Sequence, residues 1–496
     1  MKNNLKNNLK INLIITILTS ALSFVSNKYF SEYMGIETLG LMRLFTQIIA
    51  YLNLADMGIG TASTYALYKP LIEKNNQQVS VVVSTIDFFY KRIAFIILII
   101  GLIFNIFLHF FIECGDYGKI LYIYWSLYVI NTSISYVYAK YPILFTANQE
   151  YQNVRLIQGS GKIIFQIFQI IFLIKTQSFL LFIVLMILEN IYLFILYKKH
   201  YKKNYKIFKA KIIDKNIIKD SKNLFWHKFA TVIVFNTDYI ILSKYMSLIT
   251  VGVYSSYLII YQVIIVFIRV VSNVLTPSIG KFIAENPKQK IYEKWNEIYL
   301  IYFYISTFLI ICTYNLILPF IKLWLGDEYV LPKITIFLIL LNLFIQMIRE
   351  VTEIFKTGSG FFDDTYVPFL EGVLNLICSL ILVKKIGLNG VILGTLISNV
   401  AIIMILKPIL VFKRCFSKTG LEYIKITIYY FFLVGISILI SQPLINNIKL
   451  NNITDWNGWI ITASLISLIV VVVVSIVFLI NREFRIILIK ILKLNK

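Results

Sequence analysis

Cysteine and histidine are scarce in this chain of 496 residues, and neither is clustered. The four cysteines, Cys114, Cys312, Cys378 and Cys415, show no CxxC spacing, which argues against a disulfide framework or a zinc site. The three histidines, His109, His200 and His227, are equally dispersed. Long hydrophilic stretches are also missing: none exceeds residues 198–222. That leaves no room for a soluble catalytic domain, a nucleotide-binding fold or a large external loop. There is no P-loop, no GxGxxG after a strand, and no Ser/His/Asp or HExxH arrangement. The reading is therefore not an enzyme. Its energy source is an ion gradient, the substrate's own gradient, or a separate subunit.

What is abundant is apolar surface. The chain is 58% hydrophobic and only 15% charged, with a mean hydropathy of +0.78. A bilayer protein needs that much apolar surface and a soluble one does not. Aromatics reach 16%, with 33 Tyr and 38 Phe, as suits a chain that meets lipid headgroups many times. The net charge of +23 does not signal nucleic acid, because lysine and arginine fall mainly in short segments between apolar runs, on alternate sides.

Fourteen spans are expected, at 11–30, 39–68, 86–112, 118–140, 156–174, 179–197, 224–246, 251–277, 297–320, 333–355, 365–383, 388–410, 423–443 and 458–480. Each is near the roughly 20 residues that a bilayer core requires. Lys2, Lys6 and Lys10 put the N-terminus in the cytoplasm, and Arg482, Arg485, Lys490, Lys493 and Lys496 do the same for the C-terminus. Glu32, Glu37, Glu113 and Asp116 fall in outside loops, whereas Lys384 and Lys385 break the rule by falling outside too. The first apolar segment lacks an Ala-x-Ala-like cleavage site and is read as a retained helix.

A nine-residue phrase occurs twice, 212 positions apart: residues 33–41, Tyr33 to Leu41, and residues 245–253, Tyr245 to Val253. Each copy links the first two apolar segments of a six-span unit. Both units contain an even number of spans and so share an orientation, related by an axis along the membrane normal. The expected layout is all-α and polytopic. A six-helix lobe at 1–198 is followed by a basic linker at 199–222, a second six-helix lobe at 223–415, and two extra helices with a basic tail at 416–496. The copies flank a gate on the external face, with Gly40 and Gly252 at matching positions. Asp56 precedes Met57-Gly58-Ile59-Gly60, where glycines loosen the helix; its readings are a gating element or a structural partner for a basic neighbour.

Several segments resemble one family. They are the Tyr-x-Gly-x-x-x-x-Gly pattern from Tyr33 to Gly40, the run Tyr51 to Gly60, Asn236-Thr237-Asp238-Tyr239-Ile240-Ile241, Leu323-Trp324-Leu325-Gly326, and Gly387 to Thr395. Together they look like the O-antigen and capsule repeat-unit flippases of the multidrug/oligosaccharidyl-lipid/polysaccharide exporter superfamily. The resemblance implies a bacterial inner-membrane protein that moves an undecaprenyl-pyrophosphate-linked oligosaccharide to the outer leaflet by alternating access. It implies as partners that glycolipid, membrane lipid, and the polymerase and chain-length regulator of the same pathway. No nucleic acid and no cofactor are expected, apart from a coupling Na⁺ or H⁺. The alternatives are a cation-coupled multidrug exporter and a polytopic polysaccharide polymerase.

Ionisable groups within spans are the candidate site residues. Lys28, Arg43 and Arg269 suit a pyrophosphate, Arg as a planar fork and Lys as a point charge. The other reading of each is snorkelling, anchoring or, for Arg43, pairing with Glu37. Glu189 lies in mid-span, as a proton relay or a structural hydrogen-bonding group. Glu371, Asn375 and Ser379 recur every four residues on one helix face, as Val391 and Thr395 do on the next. Counting about 1.5 Å per residue puts Asp238, Ser379 and Thr395 at similar depth. The peptidoglycan-precursor flippases of the superfamily are similar here. They imply a sodium site of Asp238, Asn375, Ser379, the Val391 carbonyl and Thr395, with Ser379 where a second carboxylate is expected. The alternative is an ordinary interhelical polar network.

Overall fold

The computed structural model describes residues 2–56, 59–112, 117–205, 210, 237–361, 364, 366–448 and 453–494. Cys114, Glu113, Asp116, most of the basic linker, His227 and residues 224–236 of the expected seventh span lie outside the described residues. So does Asn236. Among the described residues the chain is all-α, with no strand. It divides into two compact units, Met1–Gly252 and Val253–Lys496.

The first unit contains α1 (Lys2–Leu52), α2 (Ile59–Ile72), α3 (Asn76–Ile103), α4 (Ile120–Val137), α5 (Lys140–Ala147), α6 (Tyr151–Thr176), α7 (Phe179–Asn204) and α8 (Asp238–Tyr245). Next come α9 (Leu248–Glu285), which starts in the first unit, and α10 (Lys288–Leu325), α11 (Lys333–Gly358), α12 (Tyr366–Ile386) and α13 (Leu388–Phe416). The last helices are α14 (Gly420–Asn446), α15 (Trp456–Phe478) and α16 (Arg482–Leu494). Ten helices among the described residues are long and apolar enough to cross a membrane. The difference from fourteen lies at four places. The first two expected spans are carried by α1 and α2, the fourth falls on α4, and the seventh is described only from residue 237. Helices α9 and α10 have 38 residues each. At about 1.5 Å per residue they exceed a roughly 30 Å hydrocarbon core, so their ends protrude.

Local chemistry sets the helix ends. Asn75 accepts from the Gln78 amide at 3.0 Å and starts α3, while Asp455 accepts from the Gly458 amide at 2.9 Å and starts α15. Within α1 the helix bends at Gly35, whose φ of 79° and ψ of 167° suit glycine almost alone. The first unit packs around Ile86, Leu144, Phe145 and Tyr197. The second packs around Trp295, Tyr299, Phe303 and Phe344. The α5–α6 turn is tied to the end of α7 by Glu150. Its carboxylate accepts from Asn148 and Asn153 at 2.9 Å, meets His200 at 2.7 Å, and takes the Tyr205 hydroxyl. Burial pushes the Glu150 carboxyl up, but these bonds outweigh it and hold the group below the ordinary glutamate value.

Candidate functional site

The densest buried polar chemistry is in the second unit, on α11. Asn342, Gln346, Arg349, Glu353 and Lys356 follow one another at intervals of four, three, four and three residues, so they form one stripe along the helix. The rest of the helix supplies Leu338, Leu343, Ile348 and Val351 to the core. Arg349 Nε donates to Glu353 Oε1 at 3.1 Å, and its Nη1 reaches Gln346 Oε1 at 3.4 Å and Glu371 Oε1 at 3.5 Å. The ammonium of Lys407, 3% exposed, donates to the same Glu353 oxygen. Higher on the stripe, Gln346 Nε2 donates to Asn399 Oδ1 at 3.1 Å, and Asn399 Nδ2 donates to Asn342 Oδ1 at 2.7 Å. Lys356 ends the stripe, 2.5 Å from Asp364.

Helix α13 delivers Asn399 and Lys407 through an irregularity. Residues Asn399–Leu406 form a π-helical stretch that begins at Asn399 and ends just before Lys407. Wider turns of this kind re-aim side chains and often occur at functional positions. Close packing of α12 on α13 depends on glycine. A Cβ on Gly390 would lie 2.3 Å from the Leu382 carbonyl oxygen, and one on Gly394 would lie 2.6 Å from the Ser379 amide nitrogen. These small residues let two backbones touch.

That approach assembles four of the sequence-predicted residues. Asn375 Nδ2 donates to Thr395 Oγ1 at 2.9 Å, while Ser379 and Thr395 donate to the Val391 carbonyl at 3.3 and 3.2 Å. These are hard oxygen ligands, which suits Na⁺ in kind. However, the Val391 carbonyl has two lone pairs and both are engaged. A cation bound there would replace at least one of these hydrogen bonds. Asp238 belongs to the first unit, in the first turn of α8. Glu371, 3% exposed, is drawn to Arg349. Arg269 pairs with Glu350 at 3.3 Å and stays half exposed.

In the first unit, Arg43 Nη2 donates to Asn27 Oδ1 at 2.6 Å, across the bend at Gly35. Its buried Nε has no hydrogen-bond partner among the described residues. Lys28 is half-buried and makes no ion pair among the described residues. Glu189, also half-buried, feels the charge of Lys162. Asp56 Oδ1 accepts from the Tyr90 hydroxyl at 3.3 Å and from the Gly60 amide at 3.5 Å. It lines an open cavity of ≈ 590 Å³ bounded by α2, α5 and α6.

The repeated phrase makes a reciprocal contact within the first unit. A Cβ on Gly40 would lie 1.9 Å from the Leu248 carbonyl oxygen, and a Cβ on Gly252 would lie 2.3 Å from the Ile36 carbonyl oxygen. Ile36 matches Leu248 and Gly40 matches Gly252 at the repeat offset. Each glycine therefore sits on the other copy's backbone.

Seven residues of this network, Asn342, Gln346, Arg349, Glu353, Lys356, Asn399 and Lys407, were not picked out by the sequence reading. Their signal was the polar stripe inside an apolar run. The helical bundle shares its fold with solved membrane transporters. It is similar to a solved structure described as the lipid II flippase MurJ in an inward closed conformation. The TM-score is 0.70 at 17% identity, over 95% of this chain and 99% of that one. It is also similar to an inward-facing multidrug resistance MATE family transporter, with a TM-score of 0.66 at 14% identity, over 81% of this chain and 97% of that one. An outward-facing MATE family structure gives 0.54 at 15% identity, over 82% and 95%. No curated protein sequence matches the chain. The model of the polysaccharide biosynthesis protein family matches residues 5–283, more than half the chain, and the chain belongs to that family.

Proposed function

We propose that this protein is a flippase for a lipid-linked glycan. It carries an undecaprenyl-pyrophosphate-linked repeat unit from the inner to the outer leaflet of the bacterial cytoplasmic membrane by alternating access. The observation that carries the reading is membership of the polysaccharide biosynthesis family by a chain with an exporter fold. The basic ends at 2–10 and 482–496 favour cytoplasmic termini. For the pyrophosphate, Arg43 is the preferred contact, because it retains a buried N–H with hydrogen-bonding capacity. Lys28 lies on the same helix and supplies a second charge. Arg269 is a weaker choice because Glu350 already neutralises it.

Coupling is assigned to the polar groups of the second unit and to Asp238, with Na⁺ or H⁺ as the driving ion. A multidrug exporter is the other reading. The MATE likeness covers 81% of this chain and the MurJ likeness 95%, which favours a flippase-type architecture.

The test is deletion of the gene in a strain with no other transporter of this superfamily, followed by assay of lipid-linked glycan in each leaflet. The expected result is glycan accumulating on the inner leaflet and restored outside by the wild-type gene. Normal outward exposure in the deletion strain overturns the reading.

A further inference from the structure

The open cavity of the first unit has a composition that transport by rocking lobes does not require. Tyr65 and Tyr68 project from α2, 75% and 41% exposed, with ring centroids 6.3 Å apart and planes at 79°. Tyr65 and Tyr68 line the cavity beside Asp56, Thr64, Thr146 and Gln158. A surface facing hydrocarbon does not gather a carboxylate, two hydroxyls and an amide, since polar groups in lipid are costly. The cavity is therefore aqueous. Large aromatic rings left exposed beside water mark a binding surface.

The combination selects a ligand class. A tyrosine ring has an electron-rich face, which attracts the electropositive C–H face of a sugar ring. Carboxylate, amide and hydroxyl groups match the alternating donors and acceptors of sugar hydroxyls. Two rings set nearly perpendicular offer one face to stack on and one edge to abut, which fixes the orientation of a pyranose. The acceptor is held in place beforehand. Tyr90 donates to Asp56, and Gly60 leaves room for it, since a Cβ there would lie 2.7 Å from the Tyr90 oxygen. The ≈ 590 Å³ volume falls within the range of roughly 300–1,000 Å³ typical of ligand sites.

We propose that the groove lined by Tyr65, Tyr68, Asp56, Thr64, Thr146 and Gln158 binds the glycan head of the lipid-linked substrate. This inference rests on the flippase reading and deepens it by giving the sugar its own subsite, separate from the pyrophosphate contact at Arg43. The α2 end of the groove carries Lys69, Glu73 and Lys74, so it lies at a membrane–water boundary. With cytoplasmic termini, that boundary is the side from which a newly built glycolipid loads.

The test measures binding to full-length protein in nanodiscs, with two probes. One is undecaprenyl pyrophosphate and the other is the lipid-linked glycan extracted from the deletion strain. For the wild type, the glycolipid is expected to bind more tightly than the bare lipid. For the double variant Tyr65→Ala, Tyr68→Ala, the glycolipid is expected to bind roughly tenfold more weakly, with the bare lipid unchanged. The double variant Tyr65→Phe, Tyr68→Phe keeps the rings and should stay within a few-fold of wild type. It also reports whether α2 still folds. Wild-type affinity for the glycolipid in the alanine variant, or equal wild-type affinity for both probes, overturns the glycan groove while leaving the flippase reading intact. Binding of neither probe to the wild type overturns the flippase reading and the groove together.

Discussion

At the scale of single residues, Glu353 is the hub of the second unit. One of its oxygens serves both Arg349 and Lys407, and Arg349 also serves Glu371. Removing the Glu353 charge takes from Lys407 and Arg349 the carboxylate they share, leaving Arg349 with Glu371. Breaking a buried ion pair by deleting one partner costs about 3–5 kcal/mol, whereas replacing both partners with apolar groups is often neutral. Glu353→Gln is therefore expected to lower the Tm of the purified protein. The double variant Glu353→Gln, Lys407→Met should recover a large part of the loss, a coupling that a double-mutant cycle measures. Equal Tm values for the single variant and wild type would remove the hub. This network was hard to read in the sequence, because the polar stripe of α11 and its partners Glu371, Asn399 and Lys407 are distant in the chain. Glu353 and Lys407 are brought together only by packing of α11 on α13. By contrast, the approach of Asn375 and Thr395 could be read in part, since four-residue spacing puts each on a helix face.

At the scale of helices, glycine decides where backbones meet. At Gly40 the obstructing atom is the Leu248 carbonyl oxygen, 1.9 Å from where a Cβ would stand, and a backbone atom cannot rotate away. Gly40→Ala must push the helices apart. Overpacking of this kind costs typically about 1–3 kcal/mol. Gly435 on α14 is the control, because a Cβ there meets nothing within 4 Å. Gly40→Ala is expected to reduce Tm and transport, and Gly435→Ala to leave transport near wild type and stability unchanged or raised by up to about 1 kcal/mol from helix propensity. Equal effects from the two substitutions would show that the crossing is not the cause. The sequence marked both glycines as matching positions in a repeat. What it could not reveal is that each glycine rests on the other copy, because contact between copies is a tertiary fact.

At the scale of the whole molecule, the sequence repeat is uneven in charge. The repeat offset pairs Asp238 with Ser26 and Arg43 with Ser255, so these charges have no counterpart in the other copy. The all-α, many-span architecture was legible from the apolar runs. The coupling ion was not, because ion choice depends on which oxygens converge. The oxygens of Asn375, Thr395, Ser379 and Val391 form a neutral set, already joined by internal hydrogen bonds. Na⁺ binding there has to replace some of those hydrogen bonds with metal–oxygen contacts. If sodium is the coupling ion, flipping of lipid-linked glycan into proteoliposomes is expected to rise with a sodium gradient. Thr395→Val should abolish that stimulation while leaving glycolipid binding intact. Glu371→Gln, which acts through Arg349 outside the oxygen set, should leave the sodium response in place. Full wild-type activity in sodium-free medium would remove the sodium site. If a proton gradient then drives transport and Glu371→Gln abolishes it, coupling belongs to the Arg349 network instead.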